Sequence, residues 1–255
     1  MLAKIVGWIL LGVVRLLTGS QARWYGCPPK AEQRIYFANH QSHADIVMIW
    51  AALPEELRVI TRPIAARDYW ANTPVKRWIT TEVFHAVYVD RGQAAAPPPP
   101  SPPPPPPERI EPSMEPVAAI QLPLVPAEPE PQVPEPAAAA APAAGLDSSD
   151  PLAPLVEALK SGDSIIIFPE GTRGNTGEPQ KFKSGLYALA KMFPDVVLVP
   201  AWIDNIQRVM PKGEVVPVPI LCSVTFGAPM QVQDGEQRRP FLERARAAVL
   251  ALRDV

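Results

Sequence analysis

Two short polar segments of the sequence carry the residue types that acid–base and anion chemistry require. In the first, residues 39–45, four residues separate His40 from Asp45. A histidine with a pKa near neutrality can remove the proton from a hydroxyl group that attacks a carbonyl carbon. A carboxylate on the other ring nitrogen would fix the tautomer and stabilise the imidazolium ion. If the chain turns between them, His40 and Asp45 are therefore candidates for a general base and its orienting partner.

Three other interpretations of this first segment stay open at the level of sequence. Ser42 is placed to cap a helix whose third residue is Asp45, and helix capping alone would explain their spacing. Such a helix start would also fold the carboxylate back toward the preceding strand. A metal site built from His40, His43 and Asp45 is conceivable, although the sequence holds no further cluster of histidines. A nucleophilic Ser42 is a weaker hypothesis, because it lies two residues from His40 and no nucleophile elbow surrounds it.

The second segment, residues 168–174, has the composition of an anion site. Gly171 and Gly174 permit positive φ angles and close approach of the backbone, so that N–H groups can surround phosphate oxygens. Arg173 adds a permanently charged, bidentate guanidinium group. Glu170 could bind a hydroxyl of the substrate or brace Arg173. The alternative is an ordinary tight turn with a surface ion pair, which would stabilise the fold little.

Both segments follow predicted strands, at residues 34–38 and 164–168. Arg91 follows a third predicted strand, 87–89, and is a second candidate phosphate ligand; otherwise it is a solvated charge at a strand end. In α/β sheets, ligands bind at the loops beyond the carboxyl ends of the strands. We therefore expect all three features at one edge of the sheet.

The remaining elements must hold these loops in place. Further strands are predicted from β-branched and apolar runs at 57–60, 196–199 and 221–226, and helices from apolar periodicity at 46–53, 152–160, 182–193 and 241–252. Strands that alternate with helices predict an α/β fold.

A Pro-, Ala- and Glu-rich stretch, residues 94–149, interrupts this pattern. It holds more than half of the 35 prolines and few large apolar residues, so it cannot bury enough surface to offset chain ordering. We predict a disordered insertion within one domain formed by residues 31–93 and 150–255. Its run of prolines at 97–107 favours polyproline II, which would serve as a stiff spacer or as a docking site for a Pro-binding partner.

The first thirty residues predict a membrane-associating segment, 1–30. The apolar run 5–14 lies between Lys4 and Arg15 and is too short to span a bilayer, which takes about 20 residues. No small-residue cleavage site follows it, which argues against a signal peptide. We expect a helix in the membrane interface, with a short tilted span or a core helix as alternatives.

Charge and cysteine content narrow the class of protein. Eight acidic side chains and one basic one lie in residues 94–150, so the rest of the chain is net basic although the whole has a formal charge of −2. A basic, apolar N-terminus suits an anionic lipid surface. No aromatic-interleaved basic patch or known module predicts nucleic-acid binding. Cys27 and Cys222 form no CxxC pair, so we expect no disulfide framework and a reducing, cytoplasm-facing environment.

Taken together, these segments resemble the glycerolipid acyltransferases, in particular bacterial 1-acyl-glycerol-3-phosphate acyltransferases. The first motif of that family is similar to residues 39–45, the second to 87–91, the third to 168–173 and the fourth to 197–200. The third matches residue for residue, and the order of the motifs agrees over about residues 30–230. The resemblance implies an α/β fold with a mixed β-sheet flanked by helices.

The resemblance also implies roles for individual residues. His40 would be the general base on the acceptor hydroxyl and Asp45 its orienting partner. The phosphate and glycerol of the acceptor would be held by Arg91, Glu170, Gly171, Thr172 and Arg173. Direct transfer from a thioester needs no acyl-enzyme, cofactor or metal, because a thiolate leaves readily.

Two positions depart from the family pattern. His85 stands where the second motif usually begins with glycine, and Arg67 stands where relatives often have lysine. Arginine keeps the charge of lysine but has a different shape and hydrogen-bonding pattern.

The expected function is acyl transfer from acyl-CoA or acyl carrier protein to the sn-2 hydroxyl of 1-acyl-glycerol-3-phosphate, giving phosphatidate. The expected partners are the lysophospholipid, the donor and the membrane surface, on the cytoplasmic face of the inner membrane. Three alternatives remain: another acceptor such as glycerol-3-phosphate, a catalytically silent lipid-binding protein, and a hydrolase in which His40 activates water.

Overall fold

The computed structural model describes residues 1–19, 21–90, 151–174, 178–209 and 220–255. The predicted insertion at 94–149 and Arg91 lie outside these ranges. The mixed sheet flanked by helices is confirmed, and it places the ends of the motif-bearing strands side by side.

Within the described residues the sheet has seven strands. They are β1 (Gln21–Trp24), β2 (Arg34–Ala38), β3 (Thr61–Ala66), β4 (Val87–Val89), β5 (Ser164–Ile167), β6 (Val197–Ile203) and β7 (Ser223–Phe226), in the order β1-β7-β6-β2-β5-β3-β4. All neighbouring pairs are parallel except β6 and β7. In this register Phe37 of β2 lies opposite Ile167 of β5, so the two motif-bearing strands end at nearly the same level.

The helices cover both faces of the sheet. They are α1 (Leu2–Thr18), α2 (Asp45–Ala52), α3 (Glu55–Val59), α4 (Arg67–Trp70), α5 (Pro74–Trp78), a π-helical turn (Ile79–Val83), α6 (Ala153–Lys160), α7 (Gly185–Met192), α8 (Ile206–Val209) and α9 (Arg238–Leu250). Ile35 and Phe37 point into a core with α6, α7 and α9, whereas Tyr36 and Ala38 point into a second core with α2 and α3. This alternation is the two-residue period of a strand buried on both faces.

The strand predicted at 57–60 is wrong, because helix α3 occupies Glu55–Val59 and the strand begins at Thr61. Pro54 precedes the helix and two glutamates occupy its first turn, which favours a helix N-terminus. Pro63 lies inside β3 and lacks a backbone N–H, so the sequence of β3 did not favour a strand at this place.

Other elements were predicted with shifted ends. The structure gives Asp45–Ala52 for 46–53, Ala153–Lys160 for 152–160, Ser164–Ile167 for 164–168, Gly185–Met192 for 182–193, Val197–Ile203 for 196–199, Ser223–Phe226 for 221–226 and Arg238–Leu250 for 241–252. The strands at 34–38 and 87–89 agree with the prediction residue for residue.

The N-terminal segment forms the long helix α1, which stops at Gly19 in the left-handed conformation with φ of 61°. One face packs on Trp50, Ala51 and Val83 through Leu11. The opposite face leaves large apolar side chains exposed, namely Leu2, Ile5, Trp8, Ile9, Val13 and Leu16. None of the helices in the described part of the chain is both long enough and apolar enough to cross a membrane.

Candidate active site

The two polar segments lie next to each other at the carboxyl ends of β2 and β5. Residues 39–45 continue from β2 and residues 168–174 continue from β5. Because these strands are parallel neighbours, their connecting loops meet at one edge of the sheet. The structure therefore brings together the two polar segments, 39–45 and 168–174, that the sequence analysis identified.

His40 and Asp45 form the predicted pair. Nδ1 of His40 lies 2.9 Å from Oδ2 of Asp45, and the same oxygen accepts hydrogen bonds from the backbone N–H groups of Gln41 at 2.6 Å and Ser42 at 2.8 Å. Asp45 is fully buried, whereas 12% of the His40 side chain is exposed. With Nδ1 held by the carboxylate, Nε2 is the nitrogen that can accept a proton from a substrate.

The helix start differs from the prediction. Asp45 is the first residue of α2 rather than the third, and Ala44 occupies the N-cap position. The Ser42 hydroxyl accepts a hydrogen bond from the Ala44 N–H at 3.2 Å. A tight turn closes here, since the Asp45 N–H donates to the Ser42 carbonyl at 3.3 Å. The carboxylate of Asp45 thus binds both the His40 ring and the loop amides, whereas Ser42 is not the N-cap of the helix as predicted.

The other two interpretations receive no support from the geometry. The hydroxyl of Ser42 is engaged with Ala44 and makes no hydrogen bond with His40 within the described residues. The His43 ring stacks on Tyr69 with ring centroids 3.3 Å apart, and Lys76 lies over the same tyrosine at 4.1 Å. No group of three or more potential metal ligands lies close enough together in the described ranges to hold an ion.

Glu170 has a different position from the one expected. Its Oε1 accepts the backbone N–H of His40 at 2.8 Å, and its Oε2 accepts the N–H of Gln180 at 2.8 Å. The side chain is buried, which raises the pKa of the carboxyl group against the lowering effect of these two hydrogen bonds. Glu170 therefore braces the backbone of the histidine, a role that was not predicted.

Further contacts complete this support. The Gly174 N–H donates to the His40 carbonyl at 2.9 Å, and the His40 ring stacks on Phe168 with centroids 4.4 Å apart. The backbone N–H, backbone carbonyl and ring of His40 are thus all held by the segment that follows β5. This segment positions the base in addition to any contact with a substrate.

Gly171, Thr172 and Arg173 of the segment are exposed near His40. Gly171 has φ of 69°, a backbone angle that favours glycine, and a Cβ atom there would lie 2.6 Å from Nζ at the flexible end of Lys183. The Thr172 hydroxyl donates to Oε1 of Gln180 at 3.2 Å. Arg173 is exposed and makes no ion pair with any described residue. Lys183 is a further cation at this loop that sequence analysis missed, since nine residues separate it from Arg173.

Comparison with known proteins agrees with this geometry. A family model described as Acyltransferase matches residues 27–204, which is more than half of the chain. The chain belongs to this acyltransferase family. The resemblance of its motifs to glycerolipid acyltransferases is thereby confirmed.

Individual relatives are informative over different lengths. The chloroplastic 1-acyl-sn-glycerol-3-phosphate acyltransferase LPAT1 of Arabidopsis thaliana is 38% identical over 58 residues, which cover 23% of this chain and 16% of that protein. The solved structure of PlsC from Thermotoga maritima, a 1-acyl-sn-glycerophosphate acyltransferase, matches with a TM-score of 0.60 and 19% identity. That alignment covers 99% of this chain and 78% of the other, and it supports the fold.

Arg67 and His85 are the two residues at which this acyltransferase departs from the family pattern, and the structure shows the contacts of the first and the backbone conformation of the second. Arg67, at the carboxyl end of β3, donates from Nε to Oδ1 of Asp90 at 2.9 Å and lies over the Tyr88 ring at 5.4 Å. Its guanidinium group therefore lies at the end of β4, immediately before Arg91. His85 has φ of 49°, in the left-handed region where glycine is at ease.

Asn39, the residue before the base, links the site to β6. Its buried amide group donates to the Ile203 carbonyl at 3.0 Å and accepts the Ile203 N–H at 2.8 Å. These two bonds extend the β2–β6 pairing by a side chain and fix the point at which the loop leaves the sheet. Sequence analysis included Asn39 in the motif but had no partner for it.

Proposed function

We propose that this acyltransferase moves a fatty acyl group from a thioester to the sn-2 hydroxyl of 1-acyl-glycerol-3-phosphate, giving phosphatidate. The observation that carries the proposal is the His40–Asp45 pair, anchored by the loop that contains Glu170 and Arg173. A buried carboxylate on Nδ1 and a partly exposed imidazole are the arrangement that general-base catalysis on a hydroxyl requires.

In the proposed reaction, Nε2 of His40 takes the proton of the acceptor hydroxyl as its oxygen attacks the thioester carbonyl. The new C–O bond forms, the C–S bond breaks and the thiolate leaves. The imidazolium ion returns its proton to the thiolate or to solvent, which restores the base. A thiol has a pKa of about 8.5, so the leaving group needs little help, and no acyl-enzyme, metal or further cofactor enters the scheme.

The acceptor phosphate would lie at the exposed face of the loop after β5. Arg173 supplies a guanidinium fork, and the backbone around Gly171 and Thr172 supplies N–H groups. Lys183 adds a second charge beside Gly171. Arg91, which follows β4 in the sequence, remains a predicted ligand of the same phosphate.

The exposed apolar face of α1 supports a membrane location for the reaction. Both acceptor and product are lipids, and Lys4 and Arg15 flank this face with positive charge that suits anionic headgroups. We therefore propose that α1 lies in the interface, on the cytoplasmic face of the inner membrane, where acyl-CoA or acyl carrier protein reaches the site.

Acyl transfer by the purified protein in detergent tests the proposal. Palmitoyl-CoA and palmitoyl acyl carrier protein are supplied in parallel with lysophosphatidate, and the products are separated by chromatography. We expect phosphatidate from the wild type and a loss of about 10²–10⁴-fold in His40→Ala. Arg239→Gln is the control, because it removes an exposed side chain of α9 and should leave the rate unchanged.

Other products would identify the alternatives. Acylated product from glycerol-3-phosphate alone would change the acceptor and keep the chemistry. Free fatty acid without acylated lipid would indicate a hydrolase. Lipid binding without any turnover by the folded wild type would contradict the enzyme proposal and favour a silent lipid-binding protein.

A further inference from the structure

A second cavity, away from His40, lies between α1 and the sheet. Its volume is about 640 Å³, within the range of about 300–1,000 Å³ typical of small-ligand sites. Its walls come from the first three turns of α1, from α3 and from the turn before β4. Arg62, near the start of β3, and His85, just before β4, place it at the amino ends of these strands. His40 follows the carboxyl end of the parallel strand β2, so the two sites lie at opposite edges.

Arg58 brings a positive charge into this cavity. It is half-buried, lies over the Trp50 ring at 5.3 Å and donates one hydrogen bond, to the Leu53 carbonyl at 2.6 Å. It forms no ion pair with a described residue. Burial lowers the pKa of the guanidinium group and the charge of Arg15 lowers it further, whereas the carboxylates of Glu55 and Glu56 raise it. A guanidinium with most of its donors unused is a natural partner for a phosphate group.

The other charged groups of the cavity are of both signs. Lys4, at the rim, likewise lacks an ion pair among the described residues, whereas Arg62 is compensated by Asp163 at 3.0 Å. Glu55 and Glu82 also line the cavity, and neither has an ion pair within the ranges that the structure describes. Cations and carboxylates therefore both line the cavity, and the α-amino group of Met1 adds a further positive charge. A purely anionic ligand would satisfy the cations and be repelled by the carboxylates, so this mixture of charges favours a ligand that carries both signs of charge.

The apolar part of the cavity indicates an amphiphile. Trp8 and Leu11 of α1 and Val83 line it beside the charges. Trp8 also belongs to the exposed apolar face of α1, so the cavity opens onto the surface proposed to meet the membrane. A hydrocarbon chain could therefore leave the cavity along α1 without crossing water.

We infer that this cavity binds the headgroup of a zwitterionic phospholipid such as phosphatidylethanolamine. The phosphate contacts Arg58 and Lys4, and the ammonium group faces Glu55 and Glu82. The acyl chains lie along Trp8 toward the membrane. This site binds lipid without transforming it and is separate from the acceptor site.

Native mass spectrometry of the full chain in detergent tests this inference. The protein is mixed with equal amounts of phosphatidylethanolamine and phosphatidylglycerol with identical acyl chains, and retained lipid is counted. We expect phosphatidylethanolamine to be retained preferentially, and Arg58→Gln to weaken its binding about tenfold. The double variant Glu55→Gln, Glu82→Gln should abolish the preference, because phosphatidylglycerol is then no longer repelled.

Two controls make the result specific. Arg253→Gln removes an exposed arginine beyond the end of α9 and should change nothing. Arg173→Gln alters the proposed phosphate loop, so a loss of phosphatidylethanolamine in that variant would place the lipid at the acceptor site and overturn the inference. Equal retention of both lipids by the wild type, or unchanged retention by Arg58→Gln, would also overturn it. The readout is binding alone, so it stands or fails independently of acyl transfer.

Discussion

Replacing Glu170 by glutamine tests whether this residue supports the catalytic base or binds the acceptor. The substitution keeps the shape of the side chain but gives one carbonyl oxygen and one NH₂ group in place of two acceptors. Since His40 and Gln180 each point a backbone N–H at the carboxylate, at 2.8 Å, one of them must then face another donor. A buried donor left without an acceptor costs about 1–3 kcal/mol.

The consequence for catalysis follows from the position of this defect. If the amide turns its NH₂ group toward His40, the backbone of the base is pushed away from Glu170, while its carbonyl stays bound to Gly174. A displacement of about 1 Å at a reacting group can reduce the rate about 10²-fold. We therefore expect kcat to fall by about that factor, KM for lysophosphatidate to change little, and the thermal midpoint to drop by several degrees.

Steady-state kinetics at varied lysophosphatidate, together with a thermal melt, separates the two roles. Thr172→Val is a matched comparison in the same loop. Among the described residues its hydroxyl bonds only to Gln180, at 3.2 Å, so this variant should leave the midpoint nearly unchanged. A Glu170→Gln enzyme with wild-type kcat and thermal midpoint but a much higher KM for the acceptor would refute the bracing role. It would favour the interpretation that Glu170 binds the glycerol of the acceptor.

Four other changes have defined expectations. Asp45→Asn should lower kcat about 10³–10⁴-fold in the acyl-transfer assay, because the amide cannot hold His40 in the required tautomer; a loss below tenfold would contradict the pairing. His85→Gly should raise stability by roughly 0.5–1 kcal/mol by relieving the left-handed backbone, whereas His85→Ala should not, as compared by urea denaturation. The pKa of Glu236 is lowered mainly by its hydrogen bond with Arg244, so the contribution of this pair to stability is present at neutral pH and is lost as the pH falls through that lowered pKa. Glu236→Gln should therefore flatten the fall of the thermal midpoint at acid pH. An unchanged fall would exclude the pair as its cause. Deletion of residues 97–142 should leave the thermal midpoint in place, because the segment lacks core-forming side chains, and a large drop would show that it packs on the domain.

The contact between His40 and Asp45 was predictable because its geometry is local. His40 and Asp45 are five positions apart, and a single turn suffices to bring Nδ1 and Oδ2 within 2.9 Å. The buried strands were predictable for a similar reason, since β2 and β5 are short apolar runs followed directly by polar loops. Composition and periodicity carry such information because each element is specified mostly by its own residues.

The support around the pair was not predictable, because it depends on which strands become neighbours. Glu170 is 130 positions from His40, and Asn39 is 164 positions from Ile203. From sequence alone, a carboxylate in a glycine-rich loop suggests a contact with a bound ligand. Only the order of the strands shows that the backbone N–H of His40 lies beside the carboxylate of Glu170. The wrong prediction of a strand at 57–60 also arose because strand neighbours cannot be read from the sequence, since Pro63 is tolerated inside β3 only in the context of the assembled sheet.

Helix α1 runs from the cavity that contains Arg58 to the edge of the sheet that holds His40. Its first turns line the cavity with Arg58, and its last turn meets the start of β7, where the Cys222 N–H donates to the Thr18 carbonyl at 2.7 Å. Because β7 runs antiparallel to β6, this start lies beside the carboxyl end of β6, at the edge that holds His40. A helix of 17 residues spans about 25 Å, so its exposed apolar face extends from one edge of the sheet to the other. If that face lies in the membrane interface, the lipid cavity and the catalytic edge meet the same leaflet, and a phospholipid held at Arg58 would fix the tilt at which lysophosphatidate enters.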